Sequence, residues 1–324
     1  MIKRVGVLTS GGDSPGMNAA IRATVRTAIY YDLHIYGFMN GYEGLIDGSI
    51  KRLEKGDVAN IIQRGGTILK TSRSARFMTK EGRQMAYETL LANDIDALVT
   101  IGGNGTLAGA ALFAEEFNIP IIGIPGTIDN DLSGTDYTIG FDSAINTAIE
   151  AVDKIRDTAD SHNRLFFVEV MGRHSGYIAM FTGIGSGAGN VLVPEVDTNI
   201  DDLVKTLKLA QKRDKLFSII IVAEGSQLGS AHDVANKVLE HIKDVDAKVT
   251  VIGHLQRGGS PSCQDRVLSS RLGYAAIYGL MHGESGVMAG VINNKVIFTP
   301  IKEALAQPKV FTDDFIKLAN ILAI

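Results

Sequence analysis

The sequence has 324 residues, with 32 Lys and Arg against 36 Asp and Glu; the net charge of −4 excludes the global basic field that nucleic-acid binders use. Its single cysteine, Cys263, excludes an internal disulfide and a multi-cysteine metal cluster, so a reducing compartment, the cytoplasm, is expected. No uninterrupted apolar stretch approaches the ~20 residues that span a membrane, so neither a membrane nor a nucleic acid is an expected partner.

In chain order the opening IKRVGVLTS reads as a strand rather than a signal peptide, and MNAAIRATVRTAIYY behind it has helical period. Then come the strand-like runs HIYGFM, ALVTIGG and PIIGIPG, the helical SAINTAIEAVDKIRDTAD, and the runs RLFFVEVMG, FSIIIVAEG and KVTVIGHL. Continuous apolar runs of four to eight residues are the mark of strands buried on both faces, and their alternation with helices predicts an α/β fold with largely parallel sheets. The length suits about two domains. A boundary is expected near 138–140, where the loop-rich stretch beginning at Gly126 gives way to a long helix, with a return to the first domain near 251.

Four apolar runs end in glycine and polar residues: LTSGGDSPGMN, IGGNGT, IPGTIDND and VMGRHSG. In open parallel sheets ligands bind beyond the carboxyl ends of strands. Glycine admits close approach of backbone N–H groups to phosphate oxygens, and a following helix N-terminus favours an anion. The segment 101-IGGNGT-106 is therefore expected to cradle phosphate, although glycine pairs also occur in plain turns. Neither a G-x-x-x-x-G-K-[ST] loop nor a full G-x-G-x-x-G motif is present, which disfavours P-loop enzymes and standard dehydrogenases. Asp129 and Asp131, two residues apart at a strand end, suit a general base and a metal-facing oxygen; Asp-Asn-Asp is equally a turn composition. Arg73, Arg76, Arg164, Arg173, His254 and Arg257 stand beside glycines or strand ends, as a phosphorylated substrate requires. Glu224 offers acceptors for sugar hydroxyls, or a turn carboxylate.

The segments LTSGGDSPGMNAAIR, IPGTIDND, EVMGRHSG, IIIVAEG and GHLQRGGSPSCQDR, in this order and spacing, resemble the bacterial ATP-dependent 6-phosphofructokinases, over residues 4 to about 290. The resemblance implies a homotetramer of two Rossmann-like three-layer α/β/α domains with mainly parallel sheets. Residues 1–139 plus about 251–304 would bind ATP, and 140–250 plus about 305–324 fructose 6-phosphate. It implies γ-phosphoryl transfer to the sugar 1-hydroxyl, with Mg2+ as cofactor. Asp129 matches the catalytic base, Thr127 and Asp131 its loop, and Arg73 and Arg173 the residues that neutralise charge. Gly12, Tyr42, Arg73, Ser74, Asn104, Gly105, Thr106 and Gly109 match nucleotide positions, with Asn104 and Asp131 toward the metal. Thr127, Asp129, Asp131, Met171, Gly172, Arg173, Glu224, His254 and Arg257 match sugar-phosphate contacts; Arg164 and Lys248 match contacts made across a subunit interface. Gly105 and Gly126, where pyrophosphate-dependent relatives carry an acid and a lysine, favour ATP as donor.

Three positions depart from the family pattern. Asn104 replaces the usual metal-site Asp, Lys248 an interface Arg, and Gly189 an acid of an effector pocket whose basic residues match Arg22, Arg26, Lys55, Arg156, Arg213 and Lys215. Phosphoenolpyruvate inhibition is expected to persist while ADP activation weakens. These departures also admit a catalytically weak regulatory paralogue as the alternative, and another ketose phosphate such as tagatose 6-phosphate is compatible with the sugar contacts.

Overall fold

The computed structural model describes residues 2–160, 164–212, 218–242 and 245–322. Arg213 and Lys215, two of the expected effector residues, lie outside the described residues. In chain order the elements are β1 (Arg4–Thr9), α1 (Met17–Tyr30), β2 (His34–Phe38), α2 (Gly41–Ile46), β3 (Ile50–Arg52), α3 (Lys80–Ala92), β4 (Ala97–Gly102), α4 (Asn104–Phe117), β5 (Ile121–Pro125) and α5 (Phe141–Asp160). There follow β6 (Leu165–Val170), α6 (Tyr177–Ser186), β7 (Asn190–Leu192), α7 (Ile200–Lys212), β8 (Ser218–Ala223), α8 (Ala231–His241) and β9 (Ala247–Val251). The last are α9 (Cys263–Met281), β10 (Val287–Ile292), β11 (Lys295–Pro300), α10 (Ile301–Ala306) and α11 (Asp313–Leu322). No described helix is long and apolar enough to cross a membrane.

Two compact units divide the chain. Unit 1 comprises Met1–Thr127, Leu132–Ser143 and Arg257–Pro308; unit 2 comprises Ile128–Asp131, Ala144–Gln256 and Lys309–Ile324. The chain thus leaves unit 1 after Ser143 rather than 139 and returns at Arg257 rather than near 251, and the short Ile128–Asp131 segment belongs to unit 2.

In unit 1 the strand order is β11-β10-β5-β4-β1-β2-β3. The pairs β1–β2, β1–β4, β4–β5 and β5–β10 are parallel, whereas β2–β3 and β10–β11 are antiparallel. Alternate residues of the central strands enter different cores. Val5, Val7, Val99, Ile101, Ile122 and Ile124 pack with Ile21 and Val25 of α1 and with Leu272 and Ala276 of α9. Leu8, Leu98 and Ile121 pack with Leu90 of α3 and with Leu107 and Phe113 of α4. Burial on both faces explains why these strands read as unbroken apolar runs.

In unit 2 the order is β7-β8-β6-β9, all parallel. Phe167, Ile220 and Val222 pack against Leu203, Val204 and Leu207 of α7 and Val234 and Val238 of α8. Their neighbours Phe166, Val168, Ile219 and Ile221 are buried as well.

One buried carboxylate governs where α5 begins. Asp265, in the first turn of α9, accepts bonds from the Gly140 N–H (2.8 Å), the Ser143 N–H (2.8 Å) and the Ser143 hydroxyl (2.6 Å). It thereby satisfies amides at the α5 N-terminus that would otherwise lack partners. Burial pushes its carboxyl up to about 6, against the Ser143 and Gly140 hydrogen bonds that favour the charged form. An unfolded Asp titrates near ~3.9, so the folded value is the higher one and protonation favours the fold. Its contribution is fully present below about pH 4 and is lost as pH rises through about 6, a fall of roughly 3 kcal/mol. Urea unfolding between pH 4 and 7 should show that fall in the parent and lack it in Asp265→Asn, and equal slopes in the two proteins would refute the assignment.

Candidate functional site

The glycine-rich ends of unit 1 converge where its sheet topology reverses. From β1 the chain runs outward to β2, and β4 returns on the other side of β1, so the loops after β1 and β4 diverge at a switch point, the usual ligand crevice of such sheets. A Cβ at Gly102 would collide with the Thr106 hydroxyl and the Ser10 carbonyl, so this close approach requires glycine. The Thr106 hydroxyl donates to the Ser10 carbonyl (2.8 Å), and the Gly126 N–H to the Gly102 carbonyl (2.9 Å). Gly103 precedes α4 with no side-chain cap, and the first turn of α4, with Asn104 and Gly105 exposed, contains no acid. This end of α4 presents backbone donors and a positive dipole end to solvent.

Several expected nucleotide residues stand around this turn. The Ser74 hydroxyl donates to Glu43 Oε1 (2.7 Å) and accepts from the Phe77 N–H (3.0 Å); Arg73 beside it is exposed. The Gly11 N–H reaches the Ser72 carbonyl (3.4 Å), tying the loop after β1 to the same segment. Thr127 lies against Gly103, whose hypothetical Cβ would be 3.4 Å from the Thr127 side chain, and the Thr138 hydroxyl donates to the Thr127 carbonyl (2.6 Å).

Three expectations need correction. Tyr42 is only 4% exposed: its ring stacks on Phe77 at 3.8 Å and its hydroxyl donates to the Thr106 carbonyl (2.7 Å). Burial pushes its phenol far up, and it supports the start of α4 from beneath instead of facing a nucleotide. The Thr106 side chain, equally 4% exposed, is likewise internal to this loop network. Gly126 is packed against Met17 and Ile101, so of the two donor-selecting glycines only Gly105 faces open space. Arg257 belongs to unit 1, where its Nη1 donates to the Asp13 carbonyl (3.1 Å) and lies 3.0 Å from where a Gly12 Cβ would stand.

In unit 2 the loops after β6 and β8 also leave in opposite directions. Asp129 is 4% exposed, and its carbonyl accepts from the Ser175 hydroxyl (2.9 Å), which joins the 128–131 segment to the loop 171–176. Glu224 Oε1 accepts from the N–H groups of Gly172 (3.2 Å) and Arg173 (2.6 Å), while the Met171 N–H donates to Gln256 Oε1 (2.9 Å). Glu224 thus fills, through Oε1, the turn-carboxylate role its sequence context also allowed. Gly172 (φ 139°) and Arg173 (φ 53°) have left-handed backbones, and a Cβ at Gly225 would collide with the Arg173 carbonyl. A non-glycine residue in that region persists only when its surroundings over-determine it, and here two amides on one carboxylate oxygen do so. The result is an exposed guanidinium aimed by a fixed backbone. Asp131 lies in the same segment as Asp129, and His254 is exposed beyond β9.

Arg164 and Lys248 are not brought to these residues. They stand at the opposite end of the unit 2 sheet, with Asp246 between them: Oδ2 is 2.7 Å from Arg164 Nε and Oδ1 is 2.7 Å from Lys248 Nζ. The two cations hold the Asp246 carboxyl below its usual range, Lys248 chiefly. From Arg164 to Met171 the chain traverses all of β6, about 23 Å at the strand rise. Asp246, Ser175 and Gln256 were not singled out by the sequence, because a lone polar residue next to a strand end carries no periodic signal.

Of the expected effector residues in unit 1, Arg22 and Arg26 are one helical turn apart on α1, and burial together with the Arg26 charge presses the Arg22 guanidinium downward; Lys55 is exposed. In unit 2, Arg156 donates to the Ser186 and Gly187 carbonyls at the end of α6, and Gly189 is buried just before β7. Among the described residues no group of three or more His, Cys, Asp or Glu side chains is placed to hold a metal.

A sequence profile of the family described as phosphofructokinase matches residues 4–280. The chain belongs to the phosphofructokinase family. Curated phosphofructokinases of similar sequence include the ATP-dependent 6-phosphofructokinase 1 of Thermus thermophilus, 52% identical over 323 residues, and that of Bacillus cytotoxicus, 53% identical over 323, each match covering the whole of both chains. Among solved structures, phosphofructokinase from Saccharomyces cerevisiae is 37% identical with a TM-score of 0.89, covering 99% of this chain, which spans about half (48%) of that one. A pyrophosphate-dependent phosphofructokinase from Marinobacter aquaeolei shares the fold at 23% identity, with a TM-score of 0.85 over 99% of this chain and 92% of that one.

Proposed function

We propose that the chain is an ATP-dependent 6-phosphofructokinase of glycolysis, a transferase that converts ATP and fructose 6-phosphate to ADP and fructose 1,6-bisphosphate. The observation that carries this reading is the buried Asp129 on a segment tied to the loop that aims Arg173. Unit 1 binds the nucleotide, its phosphates against the amides of the α4 turn, with Gly12, Ser74, Asn104, Gly105 and Gly109 around them. Unit 2 binds the sugar phosphate through Met171, Gly172, Arg173, Glu224 and His254.

In the reaction Asp129 accepts the proton of the sugar 1-hydroxyl as that oxygen bonds to the γ-phosphorus, and the bond from phosphorus to the β–γ bridging oxygen breaks, leaving its electron pair on ADP. Arg73 and Arg173 neutralise charge on the transferring group; both are exposed and permanently cationic. Mg2+, an ion that keeps waters and takes phosphate oxygens with one or two protein ligands, would be carried in by the nucleotide, and the exposed Asn104 amide of unit 1 and the Asp131 carboxylate of unit 2 could each offer it one oxygen. When bound, Mg2+ supplies charge neutralisation to the phosphates.

Arg164 and Lys248, held apart from Met171 by the length of β6, serve the sugar phosphate of a second subunit within a homotetramer. Asp246 keeps both extended until a phosphate arrives. Arg22, Arg26, Lys55 and Arg156 form part of an allosteric effector site. Like charges one turn apart at Arg22 and Arg26 destabilise an empty helix face and favour a bound anion. With Gly189 in place of an acid, phosphoenolpyruvate inhibits while ADP activates weakly. The protein works in the cytoplasm.

Steady-state assays with ATP, Mg2+ and fructose 6-phosphate, with pyrophosphate as alternative donor and ADP and phosphoenolpyruvate as titrants, test this reading. Turnover with ATP alone supports it, and strong ADP activation would contradict the Gly189 argument. Asn104 specifically favours a second reading, a regulatory paralogue that binds both ligands; binding of both without turnover would select it.

A further inference from the structure

The segment that follows α10 reaches the short 128–131 segment of unit 2. Lys309 Nζ donates to Asn130 Oδ1 (3.2 Å), the residue between Asp129 and Asp131. The same ammonium stands over the Tyr177 ring, 5.1 Å from its centroid, within cation–π range. The segment is docked on the first turn of α6. The Tyr177 hydroxyl donates to the Val310 carbonyl (3.0 Å), the Phe311 ring lies 4.4 Å from the Tyr177 ring, and Phe315 packs on Phe181 at 5.1 Å. Phe311 and Tyr177 are both buried.

Asn130 is 1% exposed and has a left-handed backbone (φ 51°). Asparagine visits this conformation more readily than most residues, and two outside bonds hold the segment in it. The Ser175 hydroxyl supplies one on the Asp129 carbonyl. Lys309 supplies another, on the Asn130 side chain. Lysine suits this place because one compact ammonium meets both the Tyr177 ring and an amide oxygen.

We infer that Lys309 is a positioning residue: docked by Phe311 and Tyr177, it fixes the 128–131 segment in the shape from which Asp129 acts. The catalytic half of this inference rests on the phosphotransferase reading above; the anchoring half does not.

Hydrogen exchange of the backbone amides at 128–131 and steady-state kinetics, both on the full chain, separate the two. In Lys309→Met, which keeps the stem and removes the ammonium, exchange at 128–131 should be about 10- to 100-fold faster, the scale of one hydrogen bond to a charged group. The value of kcat should fall at least about 10-fold with KM for ATP unchanged, and Lys309→Arg should restore most of both. Phe311→Leu, which loosens the docking without removing the charge, should give a smaller change of the same sign. Unchanged exchange in Lys309→Met overturns the inference whatever the turnover. Faster exchange with kcat within about two-fold of the parent overturns its catalytic half. Faster exchange in a chain whose parent form never phosphorylates fructose 6-phosphate supports the anchor and sinks the kinase reading.

Discussion

Asp129→Asn should lower kcat by roughly 10²- to 10⁴-fold, the scale of a lost general base, while KM for ATP changes little. The substitution is nearly isosteric and keeps the Ser175 bond, which is made to the Asp129 backbone carbonyl. Asp129 is 4% exposed, and the amide fills the same buried volume, so the melting temperature should stay close to that of the parent. A drop in rate without a drop in stability is the signature to look for. Asp131→Asn, two residues away, should instead shift the Mg2+ dependence, since its expected partner is the metal and not the proton. Retention of kcat within about ten-fold in Asp129→Asn, with a normal melt, would remove the base from the mechanism. The regulatory reading would then stand first.

The strands that read clearly in the sequence are those with cores on both sides. Val5, Val7 and Leu8 of β1 enter two clusters, so no polar residue interrupts the run. The antiparallel margin was not legible for the opposite reason. β3 has three residues, two of them exposed cations, and β11 begins with an exposed Lys-Val pair, so neither contains an apolar stretch long enough to register. The short β7 was missed likewise. Within the site, glycines forced by close approach, such as Gly102, were readable because nothing else fits. The direction a residue faces was not: Tyr42 and Gly126 sit in motif positions but point into packing, and a single sequence does not distinguish the two sides of a loop. Buried acids that organise helix starts were invisible too. Asp265 is one acid in a polar run, and only the fold brings Gly140 and Ser143 to it.

Asn104→Asp is expected to raise kcat by ~10² to 10³, the range for a charged contact made in the transition state. The position is exposed in a first helical turn that contains no acid, so a carboxylate there has room and meets the positive end of α4. That placement alone should stabilise the ligand-free protein by about 0.3–1 kcal/mol, through the helix dipole and independent of any metal. Nucleotide binding separates the two effects by sign. Without Mg2+ the new carboxylate repels the phosphates and ATP should bind more weakly than to the parent. With saturating Mg2+ the carboxylate would help hold the ion that neutralises the phosphates, and ATP should bind more tightly, with the half-saturating Mg2+ concentration falling. Calorimetric titration of ATP at zero and saturating Mg2+, beside a thermal melt, reads all three terms. A higher melting temperature with no Mg2+-dependent reversal would leave Asn104 a helix-start residue alone. The deficit relative to the family pattern would then lie at Lys248, where a point charge replaces a planar fork and Asp246 already competes for it.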